Sequence, residues 1–345
     1  MLDHPSAILK YCLTLKHLLI VLLSWSLAIA TETAYAWSPG GHRVVAYVAW
    51  LQLDNETRAK AVELIKQHER YEEDFVERMP PSVADGSQET KDQWSFLQAA
   101  TWPDIARSEP QFHHAKWHYV NYPYFVRPED KAALDLSRVN VEAELPATIT
   151  DENDLNILQA MLLNEQMLHS DSSTYQQKGL HLCWLMHLVG DVHQPLHSTA
   201  LFTAGVFGDD DGDRGGNQIE VDGSNLHATW DNLLGNPTTI DNIGSRAEDA
   251  IDEFAQQGSK AAQSMDGLIW AQESHQLAKE AVYTKAITDA VFKRDDDGGS
   301  SISVRLPQEY MTNAGSIARE RAVEAGFRLA KAIEETIPKQ NNGEK

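Results

Sequence analysis

Residues 174–197 read TYQQKGLHLCWLMHLVGDVHQPLH. The apolar residues from position 180 onward predict a long buried helix over 174–190, with His187 at its delivering end. His187 and Asp191 are four apart, which places both on one helix face. His193 and His197 follow at once. Imidazole and carboxylate are ligands of borderline metals such as zinc, so the string reads as chemistry rather than packing. A lone histidine on an apolar helix is usually a satisfied core residue; a His-xxx-Asp pair trailed by two more histidines is not that pattern.

Helical periodicity extends outward from this stretch. Val44, Val45, Tyr47, Val48 and Leu51 give a helix over 41–53. Asn55 reads as the N-cap of a helix running to about His68, and residues 91–100 form a short helix that stops before Trp102-Pro103. Asp151 or Asn153 can cap a helix through Leu155, Leu158, Met161 and Leu162. Further helices are expected over 225–234, about 243–257, about 264–290 and 308–336. Strand signals are few: residues 218–221, closed by Asp222-Gly223, and residues 301–304. Residues 200–217, rich in Gly and Asp, read as a surface loop. The reading is one mostly α-helical domain over 37–338, followed by a polar tail at 339–345.

The N-terminus carries Lys10 and Lys16, an apolar stretch over 18–30, and the triplet Ala34-Tyr35-Ala36. That order is expected of a secretory signal peptide over 1–36, cleaved after Ala36, with the protein exported to a periplasm or secreted. No later segment is long and apolar enough to span a bilayer, so no membrane association is expected after cleavage. The cysteines are Cys12, which would leave with the signal, and Cys183 in an apolar run, so no internal disulfide is expected. The formal charge of −22 excludes a broad basic groove for duplex DNA. Phosphate can still bind where metal ions supply local positive charge. The run Asp209-Asp210-Asp211 lacks the spacing and final Glu of a calcium loop.

Four more places carry the residue types of the opening string. In Trp37-Ser-Pro-Gly-Gly-His42, a freed Trp37 amine, with a pKa of about 7.7–8.0, and its carbonyl could chelate one ion. Pro39 and the two glycines would turn His42 toward the same ion; alone, the segment also reads as an ordinary terminus. In Trp102-Pro-Asp104-Ile-Ala-Arg107, a carboxylate follows a Pro-bearing turn, and an arginine fork suited to phosphate lies one turn on. An N-cap with a surface arginine would look the same. Trp117-His118-Tyr119-Val120-Asn121 supplies a histidine beside an aromatic and an amide, whereas His113 and His114 read as solvent-facing. His227-Ala-Thr-Trp-Asp231 is a second His-xxx-Asp pair, preceded by Gly215-Gly216-Asn217. Cys-free His/Asp sites for several ions suit phosphate-ester hydrolysis.

Taken in order from Trp37 to Asp231, these motifs resemble the zinc-dependent single-strand nucleases, the fungal and plant type I nucleases and their bacterial relatives, within a superfamily shared with zinc-dependent phospholipase C. The resemblance implies a mostly α, single-domain multi-helix fold with few short strands. It implies three Zn²⁺ per chain. Asp104, His118, His187 and Asp191 would hold the first. His197, His227 and Asp231 would hold the second. The Trp37 amine and carbonyl, His42 and Asp191 would hold the third, with Asp191 bridging. His193 would support the ligands without touching metal, and Arg107 would act on the phosphate. Tyr119 would stack a base and Asn121 would contact it, although fungal members carry an acid where Asn121 stands. The implied substrates are single-stranded DNA, RNA and nucleotides, including 3′-phosphates, for a monomer with no obligate protein partner. Phospholipid head-group cleavage is the alternative reading; that branch uses Glu where this chain has Asp231.

Overall fold

The computed structural model describes residues 37–298 and 302–337. The expected signal peptide and its cleavage site, and the expected polar tail, lie outside the described residues. Among the described residues, no helix is long and apolar enough to cross a membrane.

The main helices are α1 (Pro39–Gln52), α2 (Asn55–Ile65), α3 (Gln88–Ala99), α4 (Trp102–Ile105), α5 (Ile157–His169), α6 (Tyr175–Val192), α7 (Leu226–Asp231), α8 (Ile240–Ala261), α9 (Gly267–Leu277), α10 (Lys285–Asp297) and α11 (Gln308–Thr336). α6 is the predicted helix of residues 174–190. A reciprocal cap between Thr174 and Gln177 starts it, and every residue from Leu182 to Val192 is buried. Each fully buried leucine in this run contributes about 1.5–3 kcal/mol through apolar area removed from water. α2, α3 and α5 pack against α6, while α1 packs on α8 and α11. Trp37, Trp102, Trp117 and Trp184 belong to the core that forms around these helices. A second apolar cluster, including Leu196, Leu226, Trp230 and Tyr283, lies behind α7.

Local chemistry moved several expected boundaries. α1 begins at Pro39 because proline fits the first helical position and the Ser38 hydroxyl accepts from the Gly41 amide. Asp54, not Asn55, caps α2, and that helix ends at Ile65. Asn156 caps α5, whereas Asp151 caps only a short 3₁₀ turn. The single helix expected over 264–290 is broken: α9 ends at Leu277, a π turn covers Ala278–Val282, and α10 starts at Lys285.

The strands are two residues each. β3 (Glu220–Val221) and β4 (Ser224–Asn225) form a hairpin, with Asp222 and Gly223 both at positive φ as a tight primed turn requires. β5 (Ser303–Val304) joins β3 in parallel. A pairing absent from the sequence reading joins β1 (Pro123–Tyr124) to β2 (Ala200–Leu201) in parallel, preceded by a bond from the Val120 amide to the His197 carbonyl, 2.9 Å. This ladder fixes the segment carrying His118 against the turn carrying His197.

Candidate metal centre

The last two turns of α6 present His187 and Asp191 on one face, both fully buried. His187 Nδ1 donates to the Ala100 carbonyl at the end of α3, 2.8 Å. That bond fixes the tautomer and leaves Nε2 bare. Around Nε2 lie His118 Nδ1 at 3.1 Å, Asp191 Oδ2 at 3.3 Å and Asp104 Oδ1, from α4, at 3.7 Å. His118 Nδ1 is 2.9 Å from Asp191 Oδ2. The other carboxylate oxygen, Oδ1, faces His42 Nε2 from α1 at 3.2 Å. His42 and His187 stack with ring centres 4.1 Å apart. Gly190 makes this approach possible, since a Cβ there would sit 2.8 Å from His42 Nδ1.

The second group is built the same way. His197, in the 3₁₀ turn Pro195–Ser198, donates its Nδ1 to the His118 carbonyl. His227 on α7 donates its Nδ1 to the Gly215 carbonyl, 2.7 Å. Their Nε2 atoms, the ones not turned onto carbonyls, face one another 3.0 Å apart. Asp231 Oδ2 is 3.6 Å from His227 Nε2, and its Oδ1 accepts from Gln194 Nε2 at 2.7 Å.

These residues fit a metal. Three groups of ligand atoms converge: His42, His187 and Asp191; Asp104, His118 and His187; His197, His227 and Asp231. Ligands held about 2.0–2.1 Å from a tetrahedral zinc lie roughly 3.3 Å from each other, which is the range seen here. Four buried atoms of this cluster make no hydrogen bond: both ring nitrogens of His42, Asp104 Oδ2, and Asp191 Oδ1. Buried polar groups are normally satisfied, so orphans concentrated in one place point to a cation-binding site. Imidazoles locked through Nδ1 onto carbonyls are the usual support of Nε2 ligation.

Burial pushes the His118 imidazole down to about 4 and also lowers His42 and His197. At His187 burial acts downward too, but Asp191 and Asp104 outweigh it and raise the group. Burial alone would raise Asp191; His187, His118 and His42 hold it well below the usual carboxylate range. Burial drives Asp231 well above that range, Gln194 opposing and the charges of Asp191 and Asp104 reinforcing.

Trp37 is fully buried, its indole donating to the Gly190 carbonyl at 3.0 Å, and the next amide, Ser38, donates to the Asp231 carbonyl at 2.9 Å. Its backbone is thus strung between the two groups. Arg107 Nη2 sits 2.7 Å from Asp104 Oδ1 and remains partly exposed. Tyr119 and Asn121 line one cavity of about 380 Å³, together with Lys116, Arg138 and Asp210. His193 is placed apart from the ligands. Its Nδ1 donates to the Val189 carbonyl, and its Nε2 accepts from Arg328 of α11, 2.9 Å. Arg328 and Arg321, both buried, share Glu273, and Arg321 also donates to the His193 carbonyl. His114, expected in solvent, stacks on Trp117 with centroids 4.0 Å apart. Burial raises the Cys183 thiol, which is fully enclosed and unreactive.

Gln194 was not singled out from sequence, although it stands inside the opening string. The Trp102 partner Asp74 was also missed; it accepts from the indole nitrogen at 3.0 Å and so helps anchor the segment bearing Asp104.

Residues 37–338 match the S1/P1 nuclease family. Among curated proteins, the chain is similar to Endonuclease 2 of Arabidopsis thaliana, with 24% identity covering 92% of this chain and 96% of that one. It is also similar to Endonuclease 5 of Arabidopsis thaliana, with 26% identity over 87% and 90% of the two chains. Nuclease S1 of Aspergillus oryzae is 25% identical over 88% and 93%.

His187 and Asp231 both bind their protons more tightly than the free side chains do, because both groups are raised. Coordination requires them bare. Zinc loading near neutral pH should therefore release protons, and affinity should fall as pH falls. Calorimetric titration in buffers of different ionisation enthalpy measures this release. Asp231→Asn should release fewer protons per chain; an unchanged count would contradict the raised proton affinity of Asp231.

Proposed function

Because the chain belongs to the S1/P1 nuclease family, whose zinc-dependent enzymes hydrolyse phosphodiester bonds of nucleic acids, we propose that it cuts single-stranded DNA and RNA to 5′-phosphate products and removes the 3′-phosphate of nucleotides. The observation that carries this reading is the convergence of three buried His/Asp groups beside a cavity bearing Tyr119 and Asn121.

The residues would hold three zinc ions, divided as the resemblance implies, with Asp191 between two of them. When bound, the ions lower the pKa of water toward neutrality and offset negative charge on phosphate oxygens. Arg107 stands at the partly exposed edge of the cluster, beside Asp104, so its fork can donate to a phosphate as charge builds in the transition state. The Tyr119 ring offers a face for an unstacked base. The Asn121 side chain has no hydrogen bond within the protein among the described residues, which leaves its amide for a base edge. Single strands are favoured because the ligand atoms are recessed, and a duplex cannot deliver its phosphate there with its bases still stacked.

Trp37 would act as a ligand through its own amine and carbonyl, so the active protein begins at Trp37. The family match starting at residue 37 supports this boundary, as does the signal-like order of residues 1–36. The protein is then exported, to a periplasm or the medium.

The direct test is cleavage of matched single- and double-stranded oligonucleotides, with 3′-AMP and a choline phospholipid alongside. Lipid cleavage without nucleic acid cleavage would overturn the proposal. Arg107→Ala should keep its zinc but turn over roughly 10²–10³-fold more slowly, as for loss of a transition-state donor. Retaining one residue before Trp37 should reduce the zinc content, by elemental analysis, from three to two per chain. An amide donates and accepts, and so matches the adenine edge, whereas a carboxylate only accepts. Asn121→Asp should therefore shift preference from adenine toward guanine by roughly 10-fold, read as kcat/KM on dinucleotides.

A further inference from the structure

Asp213 lies in the loop that leads from β2 to Gly215-Gly216, and it is fully buried. Its Oδ1 accepts from the Leu201 amide at 2.9 Å, and its Oδ2 from the Tyr283 hydroxyl at 2.8 Å. The backbone amides of Gly216 and Gly215 lie where they favour its charged form. Its own amide and carbonyl pair with Leu201 and Gln218. One side chain therefore gathers a strand, a turn and a residue from a distant part of the chain. That distant residue, Tyr283, occupies the break between the π turn and α10, and it is itself buried.

The turn around Asp213 is unusual. Arg214, Gly215 and Gly216 have φ of 56°, 59° and 84° in succession. A Cβ on Gly215 would lie 2.4 Å from the Leu196 carbonyl oxygen. Such a left-handed run curls successive amides inward, and here they close on the Asp213 carboxylate. The same curl turns the Gly215 carbonyl outward, onto His227 Nδ1. That carbonyl is what keeps His227 Nε2 free of a proton.

We infer that Asp213 and Tyr283 are positioning residues for His227, holding the Gly215 carbonyl where it selects the metal-binding tautomer of that imidazole. The inference rests on the reading that His197, His227 and Asp231 bind zinc. Without the Tyr283 hydroxyl, the carboxylate loses a donor and the turn loses its anchor to the C-terminal half of the chain. The Gly215 carbonyl then stops enforcing Nδ1–H, and the competing tautomer, protonated on Nε2, cannot ligate. Outer partners of this kind typically tune metal affinity 10–100-fold.

The test is chelator competition on the zinc-loaded protein, comparing wild type, Tyr283→Phe, Asp213→Asn and His227→Ala, with circular dichroism as the check on folding. Tyr283→Phe removes one oxygen and keeps the ring, so it is the deciding variant if Asp213→Asn does not fold. The expected result is one zinc per chain held roughly 10–100-fold more weakly in Tyr283→Phe, with the other ions unchanged and activity restored by excess zinc. Folded Tyr283→Phe that keeps every zinc at wild-type affinity, while His227→Ala loses one, overturns the positioning role alone. If His227→Ala also keeps all its zinc at wild-type affinity, the reading of the group as a zinc site fails, and the positioning role with it. A drop in melting temperature with unchanged affinity likewise counts against positioning, since it marks a purely structural bond.

Discussion

Asp191 is a fully buried carboxylate facing three imidazoles, His118, His187 and His42, all within 3.3 Å. A charge taken out of water this completely is costly unless it is paired. Three separate segments must converge to supply its partners, α1, the turn bearing His118 and α6 itself, while the end of α3 and α4 bring Ala100 and Asp104 against His187. The core around α6 is therefore arranged to do more than exclude water. It brings backbone carbonyls to bear on imidazole nitrogens: Ala100 on His187, His118 on His197, and Gly215 on His227. Each carbonyl removes one rotational and one tautomeric freedom, and the ligand atoms emerge preset.

Much of this was readable from residues 174–197, because a helix of period 3.6 and a His-xxx-Asp spacing are encoded by residue type alone. His42, Asp104, His118, His187, Asp191, His197, His227 and Asp231 converge in three groups, a grouping that the family resemblance, not the spacing alone, implied. What stayed hidden is of another kind. Ala100 and Gly215 act through carbonyls, which every residue possesses and no sequence pattern marks. β1 and β2 are two residues long, too short for alternation to register. The helix expected over 264–290 has continuous apolar periodicity, yet it opens at Tyr283, where a hydrogen bond to Asp213 outweighs local propensity. His193 carries the same residue type as its neighbours in the string but lies at the helix end, where it meets Arg328 rather than the ligands.

The charge balance acquires a local meaning. A chain with formal charge −22 acts on a polyanion. The cations at the Tyr119 cavity are neutralised by neighbours: Lys116 by Asp154 at 2.8 Å, and Arg138 by Asp210 at 3.9 Å. Arg107 is likewise paired, with Asp104 at 2.7 Å, so attraction for phosphate rests chiefly on whatever the His/Asp groups hold, instead of being spread along a basic track.

The bracket formed by His193, Arg321, Arg328 and Glu273 couples two distant parts of the sequence. The ligand residues are complete by Asp231, but the carbonyl end of α6 is capped by side chains almost a hundred positions later. During vectorial synthesis all the metal ligands emerge before the helix that secures them. A chain truncated ahead of α11 would carry every ligand and still lack the clasp at the end of its central helix. Order of emergence thus separates having the ligands from holding them, and it assigns a helix that carries none of those ligands the closing step in assembling the centre.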